Sequence, residues 1–187
     1  MKAFRIAILA LAAMGWAVAQ DVPPPPKPAD EGPSLEATMK FLQDKLPGQV
    51  NYIVYVHDNL AGTDGTESRS DGTSSVYADA GHCRVGYHGR HTVDGASVAE
   101  GDQRVLLKQV EDITVMPVEQ QLQQASAKAG HPERSSKIEP TVFVLLVNIS
   151  GGGVHEFNFY DETLCHRVAK ALQHAVELCG GGSKEPF

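Results

Sequence analysis

Basic residues are scarce in this chain: 16 Lys and Arg stand against 23 Asp and Glu. An acidic surface repels nucleic acid and anionic lipid at long range, which argues against both as partners. The local signatures of catalysis and phosphate binding are missing too, with no GxSxG, HExxH, P-loop or GxGxxG. Two glycine runs do not replace them. Gly151–Gly153 lies between two strand-like segments, and Gly180–Gly182 follows a helical one, whereas phosphate loops precede a helix. Beyond residue 18 no apolar run is long enough to cross a bilayer. No internal repeat is present. With three cysteines, one disulfide and one free thiol is the expected arrangement in an exported protein.

Export is what the first residues indicate. Lys2 and Arg5 precede an apolar run from Ile6 to Val18, and Ala17-Val18-Ala19 has the small residues of a cleavage site. Residues 1–19 therefore read as a signal peptide, with a periplasmic or secreted destination and no membrane insertion after cleavage. Cleavage removes Lys2 and Arg5 and no acid, taking the formal charge from −7 to −9. Residues 20–33, with Pro23–Pro26 and Pro28, form an extended linker. One α+β domain then covers 34–180, and 181–187 is a flexible tail.

The end of that domain organises the rest. Thr141–Val147 is a continuous apolar run, as a buried strand carries. Ser150–Gly153 supplies a hairpin turn, and Glu156–Tyr160 alternates with Phe157 and Phe159 on one face. Asp161 caps a helix whose stripe is Leu164, Val168, Ala171, Leu172, Ala175, Val176 and Cys179, ended by Gly180. Upstream, Ser34 caps a helix to Leu46 with Leu35, Met39 and Leu42 on its stripe. Asn51–His57 is a strand by its β-branched and aromatic content. Asp58–Thr73 reads as a polar loop, and its Asp58, Asp64, Glu67 and Asp71 lack the calcium-loop spacing. Ser74–Asp79 and Cys83–Thr92 are strands broken near Gly81, and Asp94-Gly95 is a turn. Arg104–Val118 is a strand region with Leu107, Val110, Ile113 and Val115 as core and a bend near Glu111-Asp112. Glu119–Ala129 is a short helix, and His131–Pro140 a loop.

Eight histidines raise the question of a metal. In an extended strand His82 and His88 stand about 20 Å apart, and His88 and His91 point to opposite faces. His166 and His174 are about 12 Å apart along their helix. No pair has local ligand spacing, so no metal, other cofactor or catalytic residue is assigned. What strand alternation does produce is one basic face: His82, Arg84, His88 and Arg90, opposite Cys83, Val85, Tyr87 and His91. That face is either ordinary solvated surface or a site for an anionic group. Cys83 thus points to the core, as does Cys179 on the helix stripe. Cys165 lies about 21 Å from Cys179 along the same helix, so the two cannot bond. The expected disulfide is Cys83–Cys179.

The order of strands, final hairpin and closing helix, preceded by the pattern Leu107-x-x-Val110-x-x-Ile113-x-Val115, resembles the pleckstrin-homology (PH-like) superfold. The similarity covers roughly residues 50–179. The chain also looks like a group of uncharacterised exported bacterial proteins, through Pro33–Glu36, Val110–Ile113, Val168–Ala171 and His174–Gly182. The resemblance implies a mostly antiparallel bent sheet closed by a long C-terminal helix, here with an additional N-terminal helix. It also implies a groove beside that closing helix where a peptide strand can be added. The acidic segment after the first strand, with Arg69 as its only base, departs from phosphoinositide-binding members. The expected function is a non-catalytic binding module for a protein or peptide. The alternative is a hydrolase or metal-dependent enzyme, its site assembled from distant groups such as His57, His82, His88, His131 or His155 and a carboxylate.

Overall fold

In the computed structural model, which describes residues 32–182, the chain enters at helix α1, Leu35–Lys45. The expected signal peptide, most of the linker and the end of the tail lie outside the described residues. The Ser34 hydroxyl caps α1 by accepting from the Ala37 N–H at 3.3 Å. Strands β1 (Gly48–Asp58), β2 (Thr63–Asp79), β3 (Arg84–Val93) and β4 (Ala96–Leu106) follow as an antiparallel meander. β5 (Val110–Pro117), helix α2 (Val118–Lys128) and β6 (Arg134–Glu139) come next. β7 (Phe143–Ile149), β8 (Gly153–Phe159) and helix α3 (Glu162–Leu178) complete the domain. The five-stranded sheet has the order β4-β3-β2-β1-β6, and the three-stranded sheet the order β5-β7-β8.

The α+β class, the antiparallel sheets and the long C-terminal helix are as expected, and the local reasons hold. Asp161 accepts from the Leu164 N–H at 3.1 Å and starts α3. The β5–β7 register shifts between Val110 and Asp112, where a bend was expected. Three expectations fail. The segment taken as a loop after β1 is instead half of the longest strand: β2 pairs with β1 from Asp58↔Thr63 to Gly48↔Thr73 and with β3 on its other side. Pairing on both edges overrides the low β-propensity of its Gly, Asp and Ser residues. The stretch 131–140 contains β6, which pairs with the second half of β1 from Ile53↔Glu139 to Asp58↔Arg134. The Arg104–Val118 region is not one strand, because a 3₁₀ turn at Leu107–Gln109 divides β4 from β5.

Two cores flank the small sheet. On one side α3 and α1 bury Met39, Leu42, Val85, Val105, Leu145, Phe157 and Leu172. On the other, Val50, Tyr52, Val54, Val118, Ile138 and Val144 come together under α2. Each large aliphatic side chain contributes about 1.5–3 kcal/mol as an upper bound. The expected disulfide is present: Cys83 and Cys179 are bonded with their Cα atoms 5.8 Å apart, tying the end of α3 to the start of β3. Cys165 is the free, buried thiol. Among the described residues no helix is long and apolar enough to cross a membrane.

Candidate functional site

The expected basic face carries its own counter-ions. His82 sits in a 3₁₀ turn, Ala80–His82, before β3 begins, so strand alternation does not govern it. Its Nδ1 and the Arg84 guanidinium share Asp79, at 2.8 and 2.9 Å. His88 Nδ1 lies 3.0 Å from Asp102 and Nε2 3.5 Å from Glu100. Arg90 also reaches Glu100, at 3.8 Å. The hydrogen bond to Asp102, then that to Glu100, raises the pKa of His88. His57 and His131 are likewise held by neighbouring carboxylates, Asp64 at 2.7 Å and Glu133 at 3.1 Å.

A different concavity gathers unlike groups. It measures about 400 Å³ and opens between the inner face of the five-stranded sheet, strand β8 and helix α2. Register explains its floor. Gly48 faces Thr73, Thr73 faces Gly89, and Gly89 faces Gly101, so one row across β1–β4 carries a single side chain. A Cβ at Gly48 would meet nothing within 4 Å, while one at Gly89 would meet the Tyr87 ring at 3.2 Å. The adjacent row is Val50, Asp71, His91 and Ala99. The missing side chains therefore leave a shelf beside a row that bears a carboxylate and an imidazole.

That row is ordered by hydrogen bonds. The Tyr52 hydroxyl donates to Asp71 Oδ2 at 2.8 Å, and His91 Nδ1 bonds Asp71 Oδ1. Burial, followed by the negative charge of Asp71, raises the Tyr52 pKa, so its hydroxyl keeps its proton. Arg69, beside Tyr52, chelates Glu67 through Nε and Nη2 at 3.1 and 2.8 Å. Burial works against its charge, and the Glu67 carboxylate outweighs it. On the β8 side, the Tyr87 hydroxyl and His155 Nδ1 are 2.9 Å apart. Burial, with the charge of Glu156 second, pushes Tyr87 up to about 12, and burial lowers His155. The pair thus joins a protonated phenol and a neutral imidazole. Glu156 accepts from Gln121 of α2 at 2.9 Å, and the buried Oδ1 of Asn158 has no partner among the described residues.

Of the five histidines named as an enzyme's candidates, the cleft receives His155 alone, and its second histidine is His91. His91 shares the inward face of β3 with Tyr87, and the glycine between them was the legible hint of open space. Asp71 was hidden in a stretch read as loop. Among the described residues no three His, Cys, Asp or Glu side chains are placed to hold a metal ion. Fold and site together define a class: an α+β, two-sheet domain with an open polar cleft between its sheets. No family model, curated protein or solved structure matches the chain.

Proposed function

We propose that this is an exported, non-catalytic binding module for a protein or peptide, and that its ligand site is the inter-sheet cleft. The observation that carries the reading is the glycine shelf Gly48–Thr73–Gly89–Gly101, set against an ordered polar wall. The Cys83–Cys179 disulfide supports export. The four-strand meander, second sheet and closing helix support the PH-like resemblance, with α2 and β6 as an insertion. The groove beside α3 is less open, because the Gly182 N–H already takes the Val110 carbonyl of β5 at 3.0 Å.

One observation favours an enzyme: Asp71 on His91 Nδ1 is how a general base is oriented. Against it, among the described residues the cleft is lined by no Ser, Cys or Lys, and Thr73 is its one aliphatic hydroxyl. Affinity capture from the envelope extract with three baits tests the binding reading. The wild type captures the partner. Gly48→Leu, whose Cβ would enter open space, projects a side chain over the shelf and weakens capture at least tenfold. Arg84→Ala/His88→Ala, on the outer strand face, leaves it unchanged. Loss with the second variant and not the first would move the site to the outer face.

A further inference from the structure

The cleft has a feature that a generic polar pocket lacks: one wall is the unpaired edge of a strand. Among the described residues β8 pairs with β7 alone. The β7–β8 turn fixes which of its backbone groups are free. The Gly152 N–H donates to Ile149 O at 3.2 Å with Gly152 at φ +90°, and Ile149 is in register with Gly153. Gly151 is also at φ +90°, so this is a type II turn followed by a glycine bulge at Gly152, which makes Ile149 and Gly153 a hydrogen-bonded pair. Alternation then turns the backbone groups of His155, Phe157 and Phe159 toward β7. Those of Val154, Glu156 and Asn158 face outward. The Ser150 N–H, one residue past Ile149, points the other way and bonds Gln109 O at 2.8 Å, as the same alternation requires. Val154, Glu156 and Asn158 also line the cleft, together with the side chain of His155.

We propose that the occupant of the cleft is an extended peptide segment that adds as a fourth strand to β8. This rests on the cleft being the ligand site. Three observations select a peptide main chain. Outward donors and acceptors repeat every second residue, from Val154 to Asn158, over about 14 Å, which is the spacing of a strand. The opposite floor lacks side chains at Gly48, Gly89 and Gly101, and glycine in a strand marks where another backbone approaches closely. Beyond Asn158 the edge closes, because the Tyr160 hydroxyl accepts from the Asn51 N–H at 2.6 Å and donates to Asn51 O at 2.9 Å. The added strand therefore has a defined end. Its side chains alternate between the Tyr87–His155 side and the Gln121 side, as those of β8 do.

The test uses the exported protein and a phage-displayed library of random nine-residue peptides, with the best binder resynthesised. Strand addition predicts a period of two in an N-methyl scan. Methylation at alternate residues weakens binding at least tenfold, and methylation at the residues between them does not. It also predicts that amide exchange slows at Val154, Glu156 and Asn158 when the peptide binds, and that Gly48→Leu abolishes both effects. A library without binders, or a scan without alternation, overturns the proposal. So does protection of those three amides that rises with protein concentration without peptide, which would make the occupant a second copy. If a peptide shifts the Gly72 and Gly89 resonances while the three β8 amides stay unprotected, strand addition falls and the cleft reading stands. Shifts confined to His82, Arg84 and His88 remove both.

Discussion

Removing the Cys83–Cys179 bond with Cys83→Ala/Cys179→Ala should lower stability by about 3 kcal/mol, and the structure shows where that figure comes from. The bridge links residues 96 apart in sequence. For a closed loop of about 100 residues, the chain-entropy model gives a loss of about 4.7 kcal/mol. Measured effects fall short of the model, because residual denatured-state contacts already restrict the reduced chain. The helix end does not depend on the bond alone: Val168, Leu172, Ala175 and Val176 are themselves buried in the core. The variant should therefore fold and unfold in one transition. Urea unfolding followed by far-UV circular dichroism measures the difference. At about 2–4 °C per kcal/mol for a domain of this size, the melting temperature should fall by roughly 10 °C. A loss under about 1 kcal/mol would refute the reasoning, since packing alone would then fix α3 to the sheet.

Protonation should act on two histidines with opposite sign. The pKa of His155 is lowered by burial, so its contribution is complete above its unfolded value of about 6.5 and is lost as pH falls through the folded value. The pKa of His88 is raised, first by Asp102 and then by Glu100, so its contribution is complete below about 6.5 and is lost as pH rises through the folded value. Urea midpoints at about pH 5 and pH 8 should show that His155→Gln flattens the acid-side decline, while His88→Gln removes an acid-side gain. Equal slopes in all three proteins would contradict both assignments. Tyr160→Phe removes both bonds to the Asn51 backbone and should cost about 1 kcal/mol, because water can replace the hydroxyl at this exposed position. The Asn51 amide should then exchange faster, and an unchanged exchange rate would mean that the stitch between the sheets carries no load.

What could be read in the sequence was what local pattern determines. The apolar run of β7, the alternation of β8 and the stripe of α3 each fit one secondary structure. Placing Cys83 and Cys179 on inward faces was enough to choose the bridge. β2 was not legible, because Asp64, Gly65, Ser68, Ser70 and Gly72 favour loops until strands on both sides pair with them. β6 failed for a related reason, being short and dependent on β1. The cleft is harder still. Gly48, Thr73, Gly89 and Gly101 belong to four strands, and only their register places them in one row. Alternation in β3 did put Tyr87 and His91 on one inward face, yet Asp71 lay in a stretch read as loop. The outer face was read as basic because its carboxylates, Asp79, Glu100 and Asp102, come from β2 and β4.

The central claim, that ligand enters between the sheets, is tested most directly by ¹H–¹⁵N correlation spectra of the labelled protein during titration with its captured partner. The account predicts shifts concentrated at Asp71, Gly72, Gly89, His91, Glu156 and Asn158, all lining the cleft. Shifts confined to His82, Arg84 and His88, with the glycine shelf unmoved, would contradict it.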